Sequence, residues 1–129
     1  MASSKVPLYY WRFFVHEVSL AQSVLSIVEE SAVRENFNHV RKITISIGKL
    51  AGVEIDSFTF ALENLSEGTV LAHAMITIIQ PEAIATCKNC THIFGLNDRL
   101  DVCPECSSNK LDIKNGLDLK ITDLIVSDE

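Results

Sequence analysis

Apolar residues recur at three- and four-residue steps through Leu20, Val24, Ile27 and Val28, and Ser19 and Gln22 stand at capping-box spacing. That pattern predicts a helix from Ser19 to about Asn36. Strict alternation follows, with Ile43, Ile45 and Ile47 on one face and Thr44 and Ser46 on the other, the mark of a half-buried strand. Gly48 and Gly52 bracket a turn, after which Ile55, Phe58, Leu62 and Leu65 form one stripe of a second helix closing near Gly68. Met75 to Ile79 reads as another strand, ended by Pro81. Beyond the cysteines, Leu111 and Ile113 lead into Asn115-Gly116, a pair suited to the two positive-φ positions of a hairpin turn. Leu117, Leu119 and Ile121 then alternate with Asp118, Lys120 and Thr122, so the chain is expected to finish as a strand. The order is helix, strand, helix, strand, cysteine segment, strand. It predicts an α+β fold in which two helices pack on a small, three-stranded, mainly antiparallel sheet, with the cysteine segment inserted between two strands.

At 129 residues with 47% apolar composition, the chain fits one compact domain with a small insertion. Eleven Lys and Arg against seventeen Asp and Glu leave a formal charge of −6. Phosphate neutralisation drives nucleic-acid binding, so this balance argues against nucleic acid and against an anionic membrane surface. No apolar run approaches the roughly 18–20 residues of a membrane span, and a soluble protein is expected. Residues 1–14 stand apart: Tyr9, Tyr10, Trp11, Phe13 and Phe14 fall there, against Phe37, Phe58, Phe60 and Phe94 in all the rest. Such a break marks an extension outside the folding unit.

The four cysteines are spaced Cys87-x2-Cys90, twelve residues, then Cys103-x2-Cys106. Two intervening residues let the backbone turn so that both sulfurs face one point, and two such knuckles face to face offer four thiolates at tetrahedral corners, which suits zinc. Thr91 to Leu100 leaves room for a short β-excursion. Two disulfides and a rubredoxin-like iron site share this spacing. The absence of an export signal (the apolar stretch Val6 to Trp11 contains Pro7 and lacks a small-residue cleavage site) favours a reducing, cytoplasmic setting and therefore metal. Four thiolates leave no open coordination position, so the metal is structural. A zinc-ribbon adaptor for nucleic acid or a protein partner is the competing class, but Cys87 to Cys106 carries Lys88 and Arg99 against Asp98, Asp101 and Glu105, a poor surface for phosphate. No nucleophile–base pair or phosphate loop is present, and no enzyme is expected. His39, His73 and His92 carry no chemical case of their own.

The run Val15-His16-Glu17-Val18-Ser19-Leu20-Ala21 resembles the start of the HypA/HybF family of nickel metallochaperones, whose chains begin Met-His-Glu. Ile47-Gly48-Lys49-Leu50-Ala51-Gly52-Val53-Glu54 resembles that family's first strand and turn, Phe58-Thr59-Phe60-Ala61-Leu62-Glu63 its second helix, and Glu67-Gly68-Thr69 the turn after it. The tetrad, with Cys103-Pro104-Glu105-Cys106 and Asn115-Gly116-Leu117-Asp118-Leu119, is similar to its zinc ribbon and closing strand. The resemblance implies a nickel-binding domain over 15–83, a zinc-ribbon insertion over 84–114 held by Cys87, Cys90, Cys103 and Cys106, and a closing strand over 115–129. It implies Ni(II) as transient cargo on His16 and nearby backbone nitrogens, with Glu17 as a supporting or coupling residue. It also implies delivery to the large subunit of a [NiFe]-hydrogenase, or in some organisms to urease, assisted by a HypB-type GTPase, and it leaves room for a homodimer. Neutral imidazole is the nickel donor, so affinity is expected to fall as pH drops.

One departure has a chemical consequence. In the family the histidine is the second residue, so the α-amine joins the ligands. Here position 15 is Val and fourteen residues precede it. A start at position 15 through a valine codon restores Met-His-Glu, and that is the expected working form.

Overall fold

The computed structural model describes residues 16–127. The expectations for residues 1–14 and for a start at position 15 lie outside the described residues. The elements run α1 (His16–Glu35), β1 (His39–Ile47), α2 (Ile55–Leu65), β2 (Met75–Ile79), β3 (Ala83–Cys87), β4 (Ile93–Leu96), β5 (Leu111–Lys114) and β6 (Leu119–Ser127). They form two three-stranded sheets, ordered β2-β1-β6 and β4-β3-β5. The α+β class, the pair of helices and the inserted cysteine ribbon are those expected. The described residues group into two compact units, one of residues 16–43, 53–76 and 123–127, the other of 44–52 and 77–122.

In the first unit the helices pack on each other. Ala21, Val24, Val28 and Ala32 make the buried stripe of α1, at steps of three and four, and Phe58, Ala61 and Leu62 that of α2; Phe37, Val40, Ile43 and Leu71 are also buried. α1 closes with Asn36 in the left-handed region (φ 62°) and the Phe37 N–H donating to the Ala32 carbonyl at 3.1 Å, the Schellman arrangement. Its course differs from the predicted one: it is already helical at His16, the first described residue, and Ser19 is an exposed interior residue rather than the cap. Glu17 ties this part of the helix down. It lies in the first turn, where a carboxylate complements the helix dipole, and its Oε2 accepts from the Glu54 N–H at 2.9 Å. A contact thirty-seven residues away thus anchors the helix where the local pattern is silent. Glu54 in turn caps α2, its Oε1 accepting from the Ser57 N–H at 2.9 Å.

In the second unit β3 is the central strand and pairs antiparallel with both neighbours, Ile84 standing opposite Gly95 on one side and Lys114 on the other. Ala83, Ala85 and Leu96 form its small core, with Leu50, Phe94, Leu111 and Ile113 packed against them. Ile45 and Ile47 are fully buried as predicted, but Ser46 on the opposite face is also buried, so that face is not the open polar one expected. Alternation ranks the two faces by polarity; it does not say whether the weaker one is covered.

The Asn115-Gly116 turn forms, both residues having positive φ (63° and 75°), yet it does not make a hairpin. β5 stays with β3, while the chain after the turn is captured by the end of β1. The Gly48 N–H donates to the Asp118 carbonyl at 2.9 Å and the Leu50 N–H to that of Gly116 at 2.8 Å. This crossing depends on missing side chains. A Cβ on Gly48 would stand 2.1–2.4 Å from the backbone of Gly116, and one on Gly116 2.5 Å from that of Ala83. The turn residues were legible; the strand they feed was chosen by backbone contact between distant glycines.

Candidate metal centre

Two matching knuckles build the tetrad. Cys87 ends β3; its N–H donates to the His92 carbonyl (2.8 Å), and its own carbonyl accepts from the Thr91 N–H (2.9 Å). Cys103 repeats the pattern, donating to Ser108 (2.9 Å) and accepting from Ser107 (2.8 Å). The fourth residue after each of these cysteines, Thr91 and Ser107, has left-handed φ (67° and 65°), which turns the chain back over the sulfur. For a β-branched threonine that conformation is unfavourable, so the surrounding bonds enforce it. Backbone N–H groups then point at the first sulfur of each knuckle: Asn89 and Cys90 at Cys87 Sγ, and Glu105 at Cys103 Sγ, each at 3.4 Å.

The four sulfurs lie within 4.8 Å of one another, with Cys87–Cys106 and Cys90–Cys103 each at 3.5 Å. A zinc–sulfur bond of about 2.3 Å implies tetrahedral sulfur–sulfur edges of about 3.8 Å, so the donor set fits a tetrahedral divalent cation. None of the four is in a disulfide, which removes the two-disulfide alternative. Among the described residues this is the one group of three or more His, Cys, Asp or Glu whose donor atoms converge in this way.

The electrostatics favour a first thiolate and resist a second. The Cys90 backbone N–H, helped by that of Asn89 and by the Cys106 and Cys90 thiols, draws the Cys87 thiol down from 9.0 to about 6, against the opposing effect of desolvation. The His92 backbone N–H favours ionisation of Cys90. Desolvation and hydrogen bonds shared with the thiols of Cys103, Cys106 and Cys87 nonetheless push Cys90 up to about 12. A bound divalent cation reverses that resistance, because it stabilises every thiolate it touches.

Pattern reading missed three contributors. Asn89 donates from Nδ2 to Cys106 Sγ at 3.4 Å, and Arg99 grips the Leu50 carbonyl through Nε (3.0 Å) and Nη2 (2.7 Å). The third is the Glu17–Glu54 tie. Only Glu54 had a local signal, its three-residue spacing to Ser57 before an apolar stripe. His16 opens α1, and its side chain lies outside the described residues. His92 stacks on Phe94, ring centroids 5.8 Å apart. His39 and His73 line an open groove of about 700 Å³ with Val40, Arg41 and Ser127, where the guanidinium opposes any cation the imidazoles would attract.

Residues 15–126 match the family described as hydrogenase/urease nickel incorporation, metallochaperone, HypA. The chain belongs to the HypA family. It is 41% identical over 111 residues to the hydrogenase maturation factor HypA of Francisella philomiragia, covering 86% of this chain and 98% of that one. It is 37% identical over 112 residues to the HypA of Alkalilimnicola ehrlichii, covering 87% and 99%. The fold is similar to the solution structure of the Ni metallochaperone HypA from Helicobacter pylori, with a TM-score of 0.66 at 25% identity, covering 88% of this chain and 98% of that one. HypA membership makes this a metallochaperone of nickel incorporation in hydrogenase maturation, not an enzyme, and the tetrad supplies it with a four-cysteine metal cluster.

Proposed function

We propose that this HypA chain carries Ni(II) at the start of α1 and passes it to the large subunit of a [NiFe]-hydrogenase with the help of a HypB-type GTPase. His16 and nearby backbone nitrogens hold the nickel, and Glu17 supports the site. The observation that carries the reading is the family match itself: it begins at residue 15, immediately before His16-Glu17, and covers its relatives almost end to end. The contact between the Glu17 carboxylate and the Glu54 N–H supports a positioning role for Glu17, since that oxygen ties down the helical turn in which His16 is the preceding residue.

Cys87, Cys90, Cys103 and Cys106 hold zinc in this reading. Zinc bound there is structural, because four thiolates fill its coordination sphere and the ribbon core of Ala83, Ala85 and Leu96 is too small to hold the fold alone. The nickel-binding part spans 15–83, the zinc ribbon 84–114 and the closing strand 115–129. A reducing cytoplasm suits four free thiols, and no helix among the described residues is long and apolar enough to cross a membrane.

The test is a nickel titration of two zinc-loaded chains, the full 129 residues and one beginning Met-His16-Glu17, each with a His16→Ala control. Tighter one-to-one binding by the shorter chain, lost with His16, is the expected result. Equal binding that still needs His16 removes the α-amine from the ligand set. Binding indifferent to His16 in both chains overturns the nickel site.

A further inference from the structure

Phe58 and Phe60 lie two residues apart on α2 and so face opposite sides: Phe58 is fully buried and Phe60 is 69% exposed. The outer position carries a large aromatic where a small or charged helix former would serve solubility and propensity better. Its setting is acidic. Asp56, Phe60 and Glu63 follow one another at steps of four and three along the exposed face, and Glu67 is exposed just past the helix end.

No Lys or Arg occurs between Lys49 and Lys88, and the last turn of α2 carries no basic residue. Glu63 therefore sits against the negative end of the helix dipole with no basic residue of its own helix beside it. Among the described residues the ion pairs are Arg34 with Glu35 and Lys49 with Glu82, so no described residue forms an ion pair with any of these three carboxylates.

An exposed aromatic with a charged rim is the layout of an interface hot spot. We infer that the outer face of α2, centred on Phe60 and bordered by Asp56, Glu63 and Glu67, docks a protein partner whose own surface presents an apolar socket rimmed by Lys and Arg. The charge selects this occupant. A second copy offering the same face would set carboxylates against carboxylates, and nucleic acid or an anionic membrane would be repelled. The inference rests on the reading above that the chain hands nickel to protein partners.

The experiment measures binding of the zinc-loaded chain to the HypB-type GTPase and to the hydrogenase large-subunit precursor at low and physiological salt. The variants are Phe60→Ala, Phe60→Leu and the pair Glu63→Lys with Glu67→Lys. Far-UV circular dichroism checks the fold, which an exposed side chain should not disturb. For one of the two proteins, Phe60→Ala should weaken binding about tenfold or more and Phe60→Leu less. The charge reversal should slow association at low salt, the difference shrinking as salt rises. Binding of both proteins within twofold of wild type for every variant overturns the inference. So does a change in the chain's own oligomeric state on Phe60→Ala, which would assign the face to a second copy. If neither protein binds the unmodified chain, the inference falls together with the partner reading, while the His16 titration, which needs no partner, still decides the nickel site.

Discussion

Gly95 lies within β4 and Gly48 just past the end of β1, but only one of them needs to be glycine. A methyl group on Gly48 would overlap the Gly116 backbone, whereas nothing lies within 4 Å of the position a Cβ would take on Gly95. Gly48→Ala is therefore expected to cost about 3 kcal/mol, as overpacking against backbone, and Gly95→Ala to change stability by no more than about 0.5 kcal/mol. Urea unfolding of the two variants checks the contrast. Glu17 is a second residue whose role is set by one contact. Removing its carboxylate in Glu17→Ala takes the acceptor from the Glu54 N–H and should cost about 1 kcal/mol, while Glu17→Gln keeps an acceptor and should lose less. The local pattern at residues 16–19 pointed to Ser19 as the cap. It could not show a bond made to residue 54.

Among the elements, the ribbon is the one whose existence depends on chemistry more than on packing. Its core holds two alanines and one leucine as fully buried members, so chelation of its metal should unfold β3–β5, seen as collapse of their amide chemical-shift dispersion. Acid should act the same way. The Cys87 pKa is lowered to about 6, so its thiolate is present above that pH and is lost as pH falls through it. Metal affinity should therefore fall with pH throughout, because the metal must displace the Cys90 proton, and fall more steeply below about 6 where Cys87 is protonated as well, read by a chromogenic zinc-release assay. The tetrad was legible from spacing because a knuckle is a local structure. The pairing of β5 and β6 was not: Asn115-Gly116 specifies a turn, but the partner of the strand leaving it was decided by Gly48, more than sixty positions earlier.

For the molecule as a whole, charge is the property that composition settles. With a formal charge of −6 the full chain should leave duplex DNA unshifted at about 0.15 M salt, since it has no basic excess with which to displace counterions. Retardation of DNA would revive the adaptor class. Periodicity, turn residues and cysteine spacing determined by themselves the two helices, the strands β1, β2, β5 and β6 and the four sulfurs of one metal cluster, because each is specified by neighbours within a few residues; β3 (Ala83–Cys87), the centre of the ribbon sheet, had no such signal. The motifs around His16-Glu17 and the tetrad likewise pointed to the family that the match over residues 15–126 establishes. Tertiary structure decided the tie between Glu17 and Glu54, which strand β6 joins, that Ser46 is buried and that Phe60 is left outside while Phe58 is not. Those outcomes depend on groups far apart in the chain, whose meeting is set by close backbone approach and shared burial rather than by any local pattern.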